Sequence, residues 1–351
     1  AIEIMDGQDK KLSKNAIPSI LEDALAVSFD SSVGHDYLMD AEKRFDYYTN
    51  PENKIPFDID ILNTITKGGY SFKTLNIVAA GTNVGKTIFG CHYAARCLKM
   101  GKNVLYISME MAEEDIGNRI DANLMTMEVD SVKLLQKDTF LSKIETIKQK
   151  TNGKLIIKQF PTGEAHVGHF KALINELKIK SGFVPHVIVI DYLNICSSRK
   201  FPKGHDNSNT LVKAISEELR GMMVSLNAVG LTFTQFNREG MKHTDNELTD
   251  TADAIGATFT ADSYLAMNEP EELAALNQII FKQLKNRYGD KNVNKRFIVG
   301  LEKARMTFYN VENAAEAMPD IGNSVRGDYK PKTEHSNKAI SQFKPKGFKF
   351  N

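Results

Sequence analysis

Five short apolar segments alternate with longer segments of helical periodicity through the middle of the chain. The apolar segments predict buried strands at 74–80, 103–109, 154–159, 186–191 and 230–235. The segments between them predict helices at about 86–100, 112–127, 131–150, 166–181 and 209–228. Strands that are buried on both faces and separated by helices lie parallel to one another. The pattern therefore predicts an α/β fold with a parallel, doubly wound sheet covered by helices on both faces.

Outside this alternation the pattern changes. Short apolar segments predict further strands near 262–267, 277–285, 296–302 and 305–311, which suit an antiparallel extension of one sheet edge. Residues 30–73 show no clear period and are expected to be irregular. From these changes we expect a linker at 1–29, one domain at 30–316 and a basic tail at 317–351. The tail is poor in aliphatic residues, so we expect it to be disordered.

The predicted linker contains one short amphipathic segment. Ile17, Ile20, Leu21, Ala24 and Leu25 fall on one helical face. A stripe this narrow needs a surface to lie on, which is either the chain's own domain or a neighbouring subunit. The pattern leaves both possibilities open for this docking helix.

Composition excludes several classes of protein. The chain has 351 residues, of which 42% are hydrophobic and 25% charged, so it is able to form a globular core. No stretch approaches the roughly 18 consecutive apolar residues of a membrane span. The three cysteines form no Cys-x-x-Cys pair, which excludes a disulfide scaffold and a cysteine zinc site and fits a reducing cytosol. The net charge is +1, so binding to nucleic acid must come from local patches or from assembly.

The strongest chemical signal is the run Ala-Gly-Thr-Asn-Val-Gly-Lys-Thr at 80–87, which follows a predicted strand and opens a predicted helix. It fits the phosphate-binding loop (P-loop) pattern G-x-x-x-x-G-K-[ST] except at its first position, Ala80. In such a loop Lys86 reaches the β- and γ-phosphates of ATP, and the Thr87 hydroxyl is a ligand of Mg²⁺. The backbone N–H groups that cradle the phosphates come from Gly81, Thr82, Asn83, Val84 and Gly85.

Three other predicted strands end in polar residues, and parallel strands bring their ends to one edge of a sheet. Asp191 is suited to holding Mg²⁺ directly or through water, although a strand-end aspartate also caps turns. Glu110 is the candidate base that activates water, with a helix N-terminal charge as the alternative. Gln235 ends a further strand and is the candidate sensor of the γ-phosphate.

A basic hairpin follows the strand predicted at 277–285. Arg287, with Lys285 before it, stands at a turn and suits an arginine finger, the arginine that completes a phosphoryl-transfer site. Such a residue supplies about 10³–10⁵ in rate when it reaches the transferred group. The alternative is a solvated basic turn.

The order of these motifs resembles the RecA-like motor domain of DnaB-type hexameric replicative DNA helicases, and within that family most closely the helicases of T4-like bacteriophages. The resemblance is carried by the segments 81–87, 108–111, 189–193, 234–238 and 285–289. It implies an ATP-hydrolysing homohexameric ring that moves 5′ to 3′ on single-stranded DNA. It also implies a primase and a helicase loader as partners and a cytoplasmic location, in the host cell if the protein is phage-encoded. The chain would then be the motor half with its linker helix near 17–27, without the family's N-terminal domain.

The resemblance also assigns roles to single residues. It makes Lys86 and Thr87 the phosphate and Mg²⁺ ligands, and Glu110 the catalytic base. Asp191 becomes the acid that organises Mg²⁺, and Gln235 the sensor. By the same resemblance, Lys285 and Arg287 reach into the neighbour's nucleotide, so that each active site lies between two subunits.

Contacts with DNA are expected from two basic segments. One is the long polar insertion at 197–209, and the other follows the sensor strand. The residues expected to face a central channel and contact DNA phosphates are Arg199, Lys200, Lys203, Arg238 and Lys242.

Two other functions remain open on the motifs alone, namely a RecA-type recombinase filament and a nucleotide-switched ring scaffold without motor activity.

Overall fold

The computed structural model describes residues 34–50, 53–201, 208–235 and 258–311. It divides into two compact units between Ile55 and Pro56. The first unit contains helix α1 (Ala41–Thr49), which buries none of its residues, and strand β1 (Lys54–Ile55). The docking helix at 17–25, the boundary near residue 30 and the tail at 317–351 lie outside the described residues.

The second unit contains the remaining described elements. Its helices are α2 (Asp60–Thr66), α3 (Lys86–Lys99), α4 (Glu113–Met125), α5 (Val129–Lys133), α6 (Lys137–Gln149), α7 (Val167–Ser181), α8 (Ser208–Leu226) and α9 (Glu271–Ala274). Its strands are β2 (Tyr70–Ser71), β3 (Thr74–Ala80), β4 (Val104–Ser108), β5 (Leu155–Gln159), β6 (Val187–Asp191), β7 (Val229–Gln235), β8 (Ser263–Asn268), β9 (Gln278–Asn286), β10 (Arg296–Glu302) and β11 (Thr307–Tyr309). Two 3₁₀ turns lie at Leu193–Ile195 and Lys303–Arg305.

Nine of these strands form one sheet in the order β11-β10-β9-β8-β3-β7-β6-β4-β5. The six strands from β8 to β5 are parallel, and β9, β10 and β11 extend the sheet in antiparallel fashion. Helix α3 covers one face, where Gly90 lies against Tyr106 and Phe233. Helix α8 covers the other, where Met223 lies against Gly230. The predicted α/β fold, with its doubly wound parallel sheet and antiparallel extension, is thereby confirmed.

The structure corrects three details of the sequence analysis. The strand expected at 262–267 in the antiparallel extension is β8, which pairs parallel to β3, because an apolar segment does not encode the direction of its pairing. Residues 30–73, expected to be irregular, contain α1 and α2, which are too short or too polar to show a clear period. The helix expected at 131–150 is split into α5 and α6 around residues 134–136, without a glycine or proline to mark the break.

The register of the sheet defines two edges, one at the carboxyl ends and one at the amino ends of the parallel strands. Ala80 pairs with Gln235 and with Met267, so the carboxyl ends of β3, β7 and β8 lie together. At the other end, Ser263 of β8 pairs with Asn286 of the antiparallel β9. The segment after β9 therefore lies at the amino edge of the parallel strands. The length of β3 separates the two edges by about 20 Å.

Two further features of the described part of the chain are relevant to chemistry. Cys91, Cys97 and Cys196 are buried and free. Among the described helices, none has the length and apolar character that crossing a membrane requires.

Candidate nucleotide-binding site

The loop between β3 and α3 has the backbone of an anion cradle. Asn83 has φ 61° and Gly85 has φ 123°, and a side chain at the second position would be strained. Gly85 is also the residue that precedes α3, and it has no side chain to cap the first-turn N–H groups. These N–H groups, together with the positive end of the helix dipole, make the segment 81–87 suited to binding phosphate.

The ammonium group of Lys86 lies over this loop. Its Nζ donates hydrogen bonds to the carbonyl oxygens of Ala80 at 3.1 Å and Gly81 at 2.7 Å. Burial lowers the pKa of Lys86, whereas the nearby carboxylates of Asp191 and Glu110 raise it. The three charged residues that the sequence predicts for this edge are therefore within electrostatic range of one another.

Asp191 ends β6 in a buried position, with only 3% of its surface exposed. The Tyr106 hydroxyl donates a hydrogen bond to its Oδ2 at 3.0 Å, and Thr87 is a second hydrogen-bond partner. Burial raises the pKa of Asp191, while the bonds from Thr87 and Tyr106 lower it. The peptide bond between Asp191 and Tyr192 is cis.

The chemistry of this pair fits a divalent cation that is bound together with a nucleotide. The Thr87 hydroxyl and the Asp191 carboxylate are oxygen donors, which Mg²⁺ prefers, and nucleotide enzymes supply the remaining ligands from phosphate and water. No group of three or more His, Cys, Asp or Glu side chains suited to a metal ion occurs in the described ranges. These two oxygen donors are suited to an ion that takes its other ligands from a nucleotide and water.

Glu110 is exposed and lies just beyond the end of β4. Its charge raises the pKa of Asp191 and of Tyr192, so it faces the same edge as the P-loop. It stands outside α4, which begins at Glu113. Glu113 itself has a structural role, because its Oε1 accepts hydrogen bonds from the Lys158 ammonium and the Gln159 backbone, both at 3.0 Å.

Gln235 contacts the P-loop directly. Its Nε2 donates a hydrogen bond to the Thr82 hydroxyl at 2.6 Å. Strand β7 lies between β3 and β6, so the carboxyl end of the strand that carries Gln235 lies between the P-loop and the end of β6. The sequence predicts the edge at which Gln235 lies, but the contact with Thr82 depends on strand order, which the sequence does not reveal.

Lys285 and Arg287 lie at the opposite, amino edge of the sheet. The Arg287 Nη1 donates to Asp262 Oδ1 at 2.8 Å, and its side chain is 49% exposed. The Lys285 Nζ donates to the carbonyl oxygens of Thr258 at 2.6 Å and Phe259 at 3.0 Å. The structure therefore does not bring this pair to the P-loop of its own chain.

Two of the five residues predicted to bind DNA are described. The backbone N–H of Arg199 donates to both carboxylate oxygens of Glu218, at 3.1 and 3.3 Å, and the Lys200 ammonium pairs with Glu217 at 3.0 Å. The start of the polar insertion is therefore fastened to α8. Lys203, Arg238 and Lys242 lie outside the described residues.

Sequence reasoning missed three residues that hold the predicted ones in place. Tyr106 donates to Asp191 from the middle of a buried strand, where its hydroxyl needs a partner. Asp262 binds both Arg287 and Arg220. A tyrosine within an apolar strand is a weak sequence signal that a polar partner lies nearby. The local sequence pattern around Asp262 and Arg220 carries no such signal.

The fold is thus that of a RecA-like P-loop ATPase domain, with the loop after β3 and an acidic strand end two strands away at the same edge. A family model described as the DnaB-like helicase C terminal domain matches residues 55–292. A DnaB-like replicative helicase of Enterobacteria phage T4 is 44% identical over 324 residues, which are 92% of this chain and 68% of that protein. The chain belongs to the DnaB-like replicative helicase family, which confirms the resemblance seen in its motifs.

Solved structures share the fold at much lower identity. A DnaB-like replicative helicase, described together with its interactions with primase, has a TM-score of 0.65 and 17% identity. That match covers 85% of this chain and 73% of the other. A second solved structure, which is an ATPase domain, has a TM-score of 0.61 and 18% identity, over 87% of this chain and all of that domain (100%).

Proposed function

We propose that this chain is the ATP-driven motor of a replicative DNA helicase and works as a homohexameric ring that moves 5′ to 3′ on single-stranded DNA. Family membership supports the helicase role. One observation carries the proposal: the P-loop, Asp191 and Gln235 meet at one edge of the sheet, and Arg287 lies at the other. In this proposal residues 1–29 are the linker with its docking helix, 30–316 the motor and 317–351 a basic tail.

At the carboxyl edge each residue has a step to perform. The N–H groups of 81–85 and the Lys86 ammonium bind the β- and γ-phosphates, while Thr87 and Asp191 hold Mg²⁺. When bound there, Mg²⁺ neutralises charge on the transferred phosphoryl group. Glu110 orients the attacking water and accepts its proton. Its exposure and its electrostatic proximity to Lys86 support this role.

Gln235 links the phosphate site to the DNA. Its hydrogen bond to Thr82 joins the end of β7 to the P-loop. A movement of the loop therefore moves the point at which the segment 236–257 begins. We assign to Gln235 the sensing of the γ-phosphate, and to Arg238 and Lys242 in that segment contacts with DNA phosphates. Arg199, Lys200 and Lys203 supply the second set of DNA contacts.

Arg287 acts on the nucleotide of a neighbouring subunit. It lies at the amino edge of the sheet, about 20 Å from the P-loop of its own chain, which is farther than an arginine side chain spans. Its guanidinium, with Lys285 beside it, stabilises charge on the γ-phosphoryl oxygens in the transition state. A site divided in this way requires subunits that stand edge to edge, as they do in a ring.

Two further elements of the proposal rest on similarity to relatives. The described interactions of a DnaB-like helicase with primase support a primase partner here, and the resemblance adds a helicase loader. Similarity to a phage helicase supports a location in the cytoplasm of the host cell.

A strand-displacement assay tests the proposal. We expect the protein with ATP and Mg²⁺ to separate a fork with a 5′ single-stranded tail, to hydrolyse ATP faster with single-stranded DNA, and to form closed rings in negative-stain images. A matched DNA duplex with only a 3′ single-stranded tail is the control, and its strands should remain paired. Helical filaments would favour a recombinase, and ATP turnover indifferent to DNA would favour a ring scaffold.

A further inference from the structure

At the amino edge of the sheet, the side chain of Asp262 is nearly buried, at 7% exposed, and binds two arginines. Its Oδ1 accepts from Arg287 Nη1 at 2.8 Å and from Arg220 Nη2 at 3.1 Å. Its Oδ2 accepts from Arg220 Nε at 3.1 Å and from the backbone N–H of Leu75 at 3.0 Å. The carboxylate is therefore held by four hydrogen bonds that come from three distant parts of the chain.

The backbone of Asp262 is fixed as firmly as its side chain. Its N–H donates to the Leu75 carbonyl at 2.8 Å, and its own carbonyl accepts from the Arg287 N–H at 2.9 Å. Asp262 thus joins the start of β3 to the segment that follows β9. Both ends of Arg287, backbone and guanidinium, are tied to the same residue.

The two arginines use Asp262 in different ways. Arg220 makes a two-pronged contact through Nε and Nη2, which locks the carboxylate in one orientation. Asp262 engages Arg287 through Nη1 alone, although a guanidinium carries five N–H donors in a rigid plane. The contact therefore sets the direction of the Arg287 guanidinium through one of its five donors, as far as the described residues are concerned.

The charge around this carboxylate favours an anion from outside. Among the described residues, Arg220, Lys285 and Arg287 bring three positive charges near the one negative charge of Asp262, an excess of two. Burial, followed by the charge of Arg287, lowers the pKa of Lys285. Like charges gathered at a partly exposed edge are stabilised when a phosphate binds to them.

We propose that Asp262 is the positioning residue for Arg287. Arg220 supports this role, because it fixes the orientation of the Asp262 carboxylate. In the assembled ring, Asp262 holds the Arg287 guanidinium in the direction of the neighbour's γ-phosphate before the nucleotide arrives. This inference rests on the proposed role of Arg287 as an arginine finger. In this proposal Asp262 makes no contact with the nucleotide, and its effect passes entirely through Arg287.

The variant Asp262→Asn, made in the full chain, tests the proposal. It keeps the size of the side chain but removes the negative charge and replaces one acceptor oxygen by an NH₂ group, which cannot accept a hydrogen bond. The four donors that the two carboxylate oxygens accept from then share a single acceptor oxygen. We expect the DNA-stimulated kcat to fall about 10–10²-fold, the scale of a misplaced catalytic group. The KM for ATP should not change, because the P-loop binds the nucleotide and Arg287 stabilises charge that develops only in the transition state. Asp290→Asn is the matched control, since exposed Asp290 accepts from the Asn292 N–H, and it should retain full activity.

A double variant separates positioning from a merely structural role. If Asp262 acts through Arg287, adding Asp262→Asn to Arg287→Ala should lower kcat no further than Arg287→Ala alone. If Asp262 only fastens the fold, the two effects should multiply, and the inference is wrong. Should Asp262→Asn fail to fold in a thermal melt, Arg220→Gln replaces it. That variant removes the lock and should lower kcat severalfold, with the effect again absent in the Arg287→Ala background.

The outcome also distinguishes this inference from the function on which it rests. If Arg287→Ala keeps its DNA-stimulated hydrolysis, Arg287 is not a finger, and both proposals are overturned. If Arg287→Ala loses hydrolysis while Asp262→Asn keeps it, only the positioning role of Asp262 is overturned.

Discussion

The two edges of the parallel sheet are built on different principles. At the carboxyl edge, Lys86, Thr87, Asp191 and Gln235 come from three strand ends and are held by contacts with one another and with the P-loop. At the amino edge, the cations gather around one buried carboxylate and there is no phosphate loop among the described residues. In the proposed function the first edge binds a nucleotide, and the second acts on the nucleotide of a neighbouring subunit. Neither edge alone would then support catalysis, so that hydrolysis is a property of neighbouring subunits.

The largest effect is expected from breaking the carboxyl edge. Lys86→Ala removes the cation that lies over the P-loop, so binding of a fluorescent ATP analogue should be abolished. Ring formation should weaken as well, because a nucleotide bound between subunits stabilises the ring by mass action. Lys137→Ala, at the first position of α6 as Lys86 is of α3, is the control and should bind ATP normally. Normal ATP affinity in Lys86→Ala would contradict the site assignment.

The next largest effect is expected from a variant that breaks the amino edge and leaves the carboxyl edge intact. Arg287→Ala should bind ATP as well as the native protein does, yet lose about 10³-fold or more of its DNA-stimulated hydrolysis. Exposed Lys291, in the same hairpin, provides the control variant Lys291→Ala, which should remain active. Retained hydrolysis by Arg287→Ala would return Arg287 to a solvated basic turn.

Mixing two inactive variants shows directly whether the edges cooperate between subunits. A ring that contains both Arg287→Ala and Glu110→Gln subunits has some interfaces in which an intact Glu110 meets an intact Arg287. Partial recovery of ATP hydrolysis on mixing is the expected result. Mixed rings that form but show no recovery at any ratio would place Arg287 in a role within its own chain.

Glu110→Gln separates the binding of ATP from its hydrolysis, both of which the proposal places at the carboxyl edge. The variant should bind ATP and Mg²⁺ but hydrolyse ATP at least about 10²-fold more slowly, which is the scale expected when a general base is removed. Glu114→Gln, an exposed position in the first turn of α4, is the control and should turn over normally. Hydrolysis by Glu110→Gln near the native rate would rule out its role as the base.

The smallest effect concerns DNA rather than nucleotide. Lys200→Ala should weaken binding to all single-stranded sequences alike and flatten the dependence of log K on log salt concentration by about 0.7 for each DNA phosphate that the variant no longer neutralises. Lys180→Ala is the control, because Lys180 is also an exposed lysine paired with a glutamate, on α7. A salt dependence unchanged from the native protein would place Lys200 away from the DNA.

The sequence is sufficient to predict the carboxyl edge almost in full. Buried strands can be recognised from their apolar runs, and because parallel strands end together, the residues that follow them are expected at one edge. Asp191 and Gln235 could be placed in this way without knowing the order of strands. The contacts that join them to Thr87 and Thr82 could not, since these depend on β7 lying between β3 and β6.

The amino edge is less accessible from sequence for a physical reason. Asp262 is held by Leu75, Arg220 and Arg287, which lie on β3, on α8 and beyond β9. No local period connects positions so far apart in the chain. The direction of β8, which brings Asp262 beside Leu75, is likewise set by tertiary pairing and was predicted wrongly.

The burial of all three native thiols has a practical consequence for following the motor at work. Burial raises the pKa of Cys91 and of Cys97 to about 12, and it also raises that of Cys196, so almost no thiolate is present near neutral pH. Maleimide dyes react with thiolate and should leave the native chain unlabelled. A single cysteine introduced by Asp290→Cys would then carry the only dye. Energy transfer between donor- and acceptor-labelled subunits of the proposed ring would report movements of the amino edges during turnover, in a background that needs no cysteine removed.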